Sequence, residues 1–411
     1  MEAFAMTSAT HTSTTTVAPA PRLECRTNRA TLVHALTTVG IGVARRPIVP
    51  ALGGVLLDGR DGHLTLTTTD YETAVSVRVP DVVHTPGRLL IDHAEATKLL
   101  AALVKGTRKR EADTMPVTLW TTADGKAVLE LAGYTMPVTT YPAEEFPTLP
   151  QTPPTMAEVN RERFATDAGR VLVAVGTDDT IPMITGVHMQ TAPGALTLAG
   201  TDRYRLAVAE VPATTAATEG RSVSFPCRVL SAVLKHCTAD RVRLGLDTAG
   251  DWVSLSCGAL IVLARPVNAQ VPDYERLFPE VAVTARADRA TLTQATTRAT
   301  AVLEAKKHTR DGRTAAQVAV TVDPTGSVSI APVLAEHADA GTAPEHPAEV
   351  DGATETVRVL FSASYLRDAL NTLDGDTFTM QLATATRPVV FTATDAPGYR
   401  HLLMPVRPSE S

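Results

Sequence analysis

The chain of 411 residues is poor in the features that most often announce chemistry. Aromatic residues make up only 4%. Its four cysteines, Cys25, Cys227, Cys237 and Cys257, form no CxxC pair and no CxxC followed by HxxxH. That spacing excludes a patterned zinc site and a disulfide framework, and it fits a reduced, cytoplasmic chain. There is no run of about 18 apolar residues, so no membrane-spanning helix is expected. GxSxG, the Walker lysine motif and HExxH are all missing. The GIG at 40–42 lacks the third glycine and the preceding strand of a dinucleotide fingerprint. Asp178 and Asp179 are adjacent, and neighbouring residues in a loop seldom converge on one substrate atom, so they read as a surface turn. The eleven histidines are scattered and read as structural or surface residues. No cofactor or metal is called for, and an enzymatic reading is poor.

Segment 1–21, MEAFAMTSATHTSTTTVAPAP, lacks the basic start and apolar stretch of a signal peptide. Its Thr, Ala and Pro content reads as a disordered tail. The formal net charge is −6, which argues against phosphate neutralisation over the whole surface but leaves room for a local basic lining. Hydrophobic residues make up 44%, enough to supply a core to several domains of about 100–200 residues.

What is present is a repeat. NRATLVHALTTVGIGVA begins at Asn28, NRERFATDAGRVLVAVG at Asn160 and DRATLTQATTRATAVLE at Asp288, at spacings of 132 (28 to 160) and 128 (160 to 288) residues. Each opens on Asn or Asp, a good helix N-cap. Apolar residues then follow at helical spacing: Leu32, Leu36 and Val39; Phe164, Ala168, Val171 and Val175; Leu292, Ala295, Ala299 and Val302. A second helix recurs through Ala96, Leu99, Leu100 and Leu103, through Val229, Leu230, Val233 and Leu234, and through Leu366, Ala369, Leu370 and Leu373. Strand-like runs precede these helices: GRLLID, SVSFP and VRVLFS. Alternating strand pairs with Gly or Asp-Gly turns fill the space between, as in GGVLLDGRDGHLTLTTTD and GVHMQTAPGALTLAGTD. Each unit reads as helix, strands, helix, strands. A period near 130 is too long for a solenoid and means three copies of one domain. The expected boundaries are 22–150, 151–279 and 280–411, with Pro-rich joins at 139–154 and 268–280. The acidic, Pro/Ala-rich stretch 334–355 is expected to be a loop between strands.

The ordered motifs RRPIVPALGGVLLDGRDGHLTLTTTDYETAVSVRV, DDTIPMITGVHMQ, TDRYRLA, PDYERLFP and YRHLLMPVR resemble those of the bacterial DNA polymerase III β subunit, the DNA sliding clamp. TDRYR and YPAEEFPTLPQ look most like the clamps of high-GC Gram-positive bacteria. The resemblance spans about 22–408. It implies an α+β fold of three clamp domains, each with two helices packed on two antiparallel sheets. It further implies a head-to-tail homodimeric ring around duplex DNA, with the polymerase III α subunit, the clamp loader and other motif-bearing proteins as partners.

Carried over residue by residue, the family's peptide socket falls on Ile184, Thr201, Arg203, Tyr204, Arg205, Leu206, Pro272, Leu277, Leu403, Met404, Pro405 and Arg407. Apolar side chains and a pliable Met suit Leu and Phe anchors of partner tails. The bland alternative is that Leu206, Leu277 and Leu403 are ordinary core. Candidate DNA-lining cations are Arg46, Lys98, Arg108, Arg161, Arg170, Arg228, Lys235, Arg298, Lys306 and Lys307, with Arg29, Lys109 and Arg110 in the wider set. For any one of these, a solvated helix face is the alternative. Pro182 and Met183 stand where some clamps carry DNA-touching aromatics. Pro408, where the family usually ends in Leu, the extra residues Ser409–Ser411, the tail and the Ala/Thr-rich composition motivate a rival reading. On that reading the chain is a divergent second copy, phage- or plasmid-borne or sparing its host from a clamp-directed antibiotic.

Overall fold

Three helices start alike because each is capped alike. In the computed structural model, Asn28 accepts a hydrogen bond from the Thr31 N–H at 2.8 Å. Asn160 accepts from Arg163 at 3.0 Å and Asp288 from Thr291 at 2.7 Å. Each cap satisfies an otherwise orphaned N–H of the first turn. The helices that follow are α1 (Arg29–Val39), α4 (Arg161–Leu172) and α6 (Arg289–Ala305). Between and after them lie α2 (His93–Ala102), α3 (Lys109–Thr114), α5 (Cys227–Leu234) and α7 (Ala363–Thr372). The structure describes residues 22–215, 220–267, 274–306, 316–334 and 342–407. The tail 1–21, Pro272, Lys307 and Pro408 lie outside these.

The repeat extends to the residue after each cap, an arginine in all three copies. The backbone N–H donates to the carbonyl of Met115 from Arg29, of Asp240 from Arg161 and of Asp376 from Arg289. The side chains of Arg29 and Arg289 reach farther. Their Nε atoms donate to Leu100 O, in the last turn of α2, and to Gly375 O, just beyond α7, each at 2.7 Å. Arg161 turns instead to the carboxylate of Glu162.

The described residues divide into two compact units, one of residues 22–68 and 77–147, the other of 69–76 and those from 148 on. In the first, a five-stranded antiparallel sheet runs in the order Val83–Thr85, Glu24–Asn28, Pro116–Thr121, Ala127–Leu131, Tyr134–Val138. A second sheet sets Gly54–Arg60 between His63–Thr69 and Gly87–Asp92. The Asp-Gly turn is as expected: Arg60 pairs with His63, and Asp61 and Gly62 have φ of 50° and 78°. Two successive left-handed residues make the tight hairpin whose twist matches its strands. Leu32, Leu36 and Val39 of α1 are buried in this unit's core.

In the second unit one sheet runs through two copies of the repeat. Its order is Ser222–Pro226, Gly186–Ala192, Ala195–Thr201, Arg205–Thr215, Tyr399–Leu403, Val389–Thr392, Thr377–Leu382, Val283–Asp288. The seam is the antiparallel pairing of Arg205–Thr215 with Tyr399–Leu403, in register from Arg205 opposite Leu403 to Ala209 opposite Tyr399. Continuous backbone pairing makes this junction a stiff one.

Two expectations need correcting. Part of 334–355 is a strand, Glu345–Asp351, not a loop. It pairs with Val283–Asp288 on one side and Ser327–Pro332 on the other. None of its side chains is buried, so its composition reads as loop while ladder hydrogen bonds hold it in a sheet. The short helix α3 adds a seventh helix, among the described residues, to the six foreseen.

Candidate functional site: a groove at the seam

The segment Thr201–Arg205 turns on one carboxylate. Asp202 Oδ1 accepts from the N–H groups of Tyr204 and Arg205, both at 3.0 Å. The Thr201 hydroxyl donates to Arg205 O at 2.7 Å and accepts from the Arg203 N–H at 3.1 Å. This tight turn forces Arg203 to φ 81°, in the left-handed region. It also turns Tyr204 outward, 55% exposed, and Leu206 inward, 3% exposed.

Arg205 is the tie between the two copies. Its Nε meets Asp202 at 2.8 Å and its Nη1 meets Asp368 of α7 at 2.8 Å. The guanidinium lies 4.3 Å from the ring centroid of Tyr365, one helical turn before Asp368. Burial, with help from the nearby Asp202 carboxylate, raises the Tyr365 hydroxyl above its usual range. Below the seam, the Tyr399 hydroxyl meets His401 Nδ1 at 2.9 Å and Thr372 Oγ1 at 3.0 Å. His401 is fully enclosed, and burial pushes its imidazole down to about 3.

Two cavities open on the turn and a third adjoins them. A small one of about 160 Å³ is floored by Ile184 and Leu206, with Met183, Thr201, Arg203 and Leu277 on its walls. A second of about 660 Å³ runs from Arg203 and Tyr204 to Gln317, Tyr365 and Met404–Arg407. A third of about 930 Å³ lies between Arg276–Glu280 and Thr384–Pro388, against Met404 and Arg407. Arg203, Leu277, Met404 and Arg407 are each shared between two of them, so the three form one branched groove. Of the ten exposed large apolar side chains among the described residues, four line it: Met183, Tyr204, Leu277 and Met404. Exposed apolar side chains clustered in a concave surface mark a binding surface.

Most of the residues expected in a socket come together here: Ile184, Thr201, Arg203, Tyr204, Leu206, Leu277, Met404, Pro405 and Arg407. Two expected residues do not line these cavities. Leu403 is 1% exposed and belongs to the core, its strand paired with Arg205. Arg205 is turned inward by its two carboxylates. Sequence reasoning missed Tyr365, Val406 and Arg387. Tyr365 had a signal, the i, i+3 spacing to an acidic residue on one helix face, but its partner Arg205 is 160 residues away (205 to 365).

Among the candidate DNA-lining cations, Arg46, Lys98, Arg108, Arg228, Lys235, Arg298 and Lys306 are exposed, as are Lys109 and Arg110. Arg228 is paired with Asp179 at the surface at 3.0 Å. Arg161 is half-buried. Arg170 is a correction: its side chain is 7% exposed, bound to the enclosed Asp167 at 2.7 Å and to Asp374. Its charge is neutralised inside the fold. Arg29 is a second correction, 14% exposed and paired with Asp113 at 2.8 Å. Among the described residues no cluster of His, Cys, Asp or Glu has the makings of a metal site, and no helix is long and apolar enough to cross a membrane.

Comparison with known proteins agrees with this architecture. Models of the DNA polymerase III beta subunit match residues 23–150 (N-terminal domain), 158–273 (central domain) and 275–407 (C-terminal domain). A protein named beta sliding clamp from Streptomyces coelicolor is 28% identical over 94% of this chain and 99% of its own length. The beta sliding clamp homolog GriR from Streptomyces muensis is 26% identical over 92% of this chain and 98% of its own. A Bacillus subtilis DNA polymerase sliding clamp structure superposes with a TM-score of 0.82 at 20% identity, over 94% of this chain and all of that one. The three models together span nearly all of the described residues, and the chain belongs to the DNA polymerase III beta subunit family.

Proposed function

We propose that this chain is a DNA sliding clamp, a non-catalytic, cytoplasmic processivity subunit built of three domains near 22–150, 151–279 and 280–411. Two copies close head to tail into a ring around duplex DNA, joining domain one of each to domain three of the other. Exposed cations such as Arg46, Lys98, Arg298 and Lys306 track phosphates without reading sequence. The groove at the seam takes the apolar tails of the replicative polymerase, the clamp loader and other partners. The observation that carries this reading is the gathering of Met183, Tyr204, Leu277 and Met404 at one concave surface, in a chain whose family is established. The decisive experiment is loading onto nicked circular DNA by a clamp loader, followed by polymerase run length. A clamp is retained on circles and lost when they are linearised. Retention on neither form, with intact fold and dimer, rejects the proposal.

A second reading keeps the fold and narrows the role: a divergent copy with altered partner or drug binding. Its support is that identity to the GriR homolog, 26%, nearly equals that to the Streptomyces coelicolor clamp, 28%. On this reading, clamp-directed inhibitors fail to compete with partner peptides for the groove. Competition at concentrations that inhibit an ordinary clamp removes it.

A further inference from the structure

The groove carries a charge opposite to that of the chain. The whole molecule is formally −6. Yet the charged side chains lining the groove are four arginines, Arg203, Arg276, Arg387 and Arg407, and one carboxylate, Glu280. Arg203, Arg387 and Arg407 are all exposed. Asp178 lies within electrostatic reach of Arg203, but its carboxylate is held mainly by the Thr180 hydroxyl.

Arg203 stands out for a second reason. At φ 81° it occupies backbone space where glycine is favoured and a side chain costs free energy. The turn imposes that conformation whatever residue is present, so what arginine adds over glycine is its side chain. That side chain sits 5.8 Å from the Tyr204 ring centroid, where the small apolar cavity meets the larger one. Arg407 holds the matching position between the second and third cavities.

We infer that the groove selects peptides that carry carboxylates beside their apolar anchors, with Arg203 and Arg407 as specificity-determining contacts. This rests on the peptide-socket reading above. Guanidinium groups grip carboxylates with two parallel hydrogen bonds. Rim charges act on partner choice and association rate more than on total affinity. The same cations attract DNA phosphates, but the apolar lining of Ile184, Leu206, Leu277 and Met404 suits side-chain anchors and gives a phosphate backbone nothing to bind.

Calorimetry on the full chain tests this with two synthetic peptides of identical apolar anchors, one flanked by Asp and Glu, the other by Asn and Gln. The acidic peptide binds about five- to tenfold more tightly at low salt, the sum of a few exposed ion pairs. The advantage shrinks as ionic strength approaches about 0.5 M. Arg203→Gly removes much of it while keeping or raising the unfolding midpoint, because glycine suits that φ. Arg407→Gln removes part of it without touching the turn. Equal binding of both peptides at every salt concentration overturns the inference and leaves the socket standing. Failure of both peptides to bind overturns the socket itself. Displacement of only the acidic peptide by a short DNA duplex assigns the rim to nucleic acid and overturns the inference as well.

Discussion

Met404 donates its backbone N–H to the carbonyl oxygen of Tyr204 at 2.8 Å, so two exposed apolar residues of the seam are fastened by main chain while their side chains stay available. The separation of roles predicts a clean mutant. Met404→Ala keeps the backbone bond and removes a side chain that is 40% exposed. Partner-peptide affinity should fall about tenfold or more, the usual cost of truncating a groove anchor, with the unfolding midpoint unchanged. Leu403→Ala next door should do the reverse, costing about 2–5 kcal/mol of stability as a buried Leu truncation. Calorimetric titration and denaturant unfolding on both variants separate the two; equal loss of stability would show that Met404 is core.

Arg205 connects the copies through Asp202 and Asp368, and lysine cannot replace it. A lysine ammonium cannot present the planar fork that meets two carboxylates and lies on Tyr365. Arg205→Lys should cost about 2 kcal/mol or more, because Asp202, 12% exposed, loses its partner in a poorly solvated place. Asp368→Asn, at the more exposed end, 34%, should cost less. Chemical denaturation ranks them; Asp368→Asn emerging as the worse variant would contradict this geometry.

His401 predicts the acid limb of stability. Its imidazole titrates near 6.5 when unfolded and is pushed down to about 3 in the fold by burial. Below pH 6.5 the unfolded chain therefore takes up a proton that the folded chain refuses. Stability is complete above that pH and falls as pH drops toward 3, by at most about 1.4 kcal/mol per pH unit from one such group. His188, lowered by burial too, acts in the same direction. His401→Gln should flatten the limb between pH 6.5 and 4.5, above the range where the lowered carboxylates Asp178, Asp288 and Asp323 begin to titrate. Urea midpoints measured across that window that fall as steeply in the variant as in the parent would assign the limb elsewhere.

The four cysteines are all buried, and desolvation pushes Cys25 and Cys237 up to about 12. A thiol kept protonated and enclosed is a poor nucleophile. The native chain at pH 8 should react with an aromatic disulfide reagent only at the pace of local opening, and all four thiols should react within seconds in denaturant. Prompt labelling of one native thiol would show an opening the fold does not display.

Local signals were legible in the sequence and long-range ones were not. Asn28, Asn160 and Asp288 declared their helices because a cap acts on residues two or three positions away. Asp61–Gly62 declared its hairpin for the same reason. The apolar rows of the first helices faced the core as their spacing required, except at Val302, which is exposed while its neighbour Leu303 is buried. Glu345–Asp351 hid because its strand character comes from partners at 284–287 and 327–329, and its own side chains stay unburied. Arg170 looked like a solvated cation because the buried ring of Tyr399, more than two hundred residues on, is what its guanidinium packs against. The described groove residues carried by the family resemblance came together, except Arg205 and Leu403, whose side chains point to the interior for reasons set by Asp368 and by the seam.

The contrast between Arg170 and Lys306 makes the last prediction. Lys306 is exposed just beyond the end of α6, and Arg46 is exposed between α1 and the strand Gly54–Arg60. Arg170 is buried against Asp167. If exposed cations supply the hold on phosphates, Arg46→Glu and Lys306→Glu should each weaken binding to linear duplex. Each should also lower its salt slope by about one counterion for every phosphate that is no longer neutralised. Neither should move the unfolding midpoint, since surface substitutions usually stay within about 0.5 kcal/mol. Arg170→Glu should instead leave Asp167 with Arg163 alone and set two carboxylates together inside the fold, with a loss of about 3–5 kcal/mol. Fluorescence anisotropy at several salt concentrations, run beside thermal unfolding, reads both effects. Binding that is unchanged in Arg46→Glu and Lys306→Glu, yet lost in Arg170→Glu before it unfolds, would reverse the assignment and place the DNA contact at the seam.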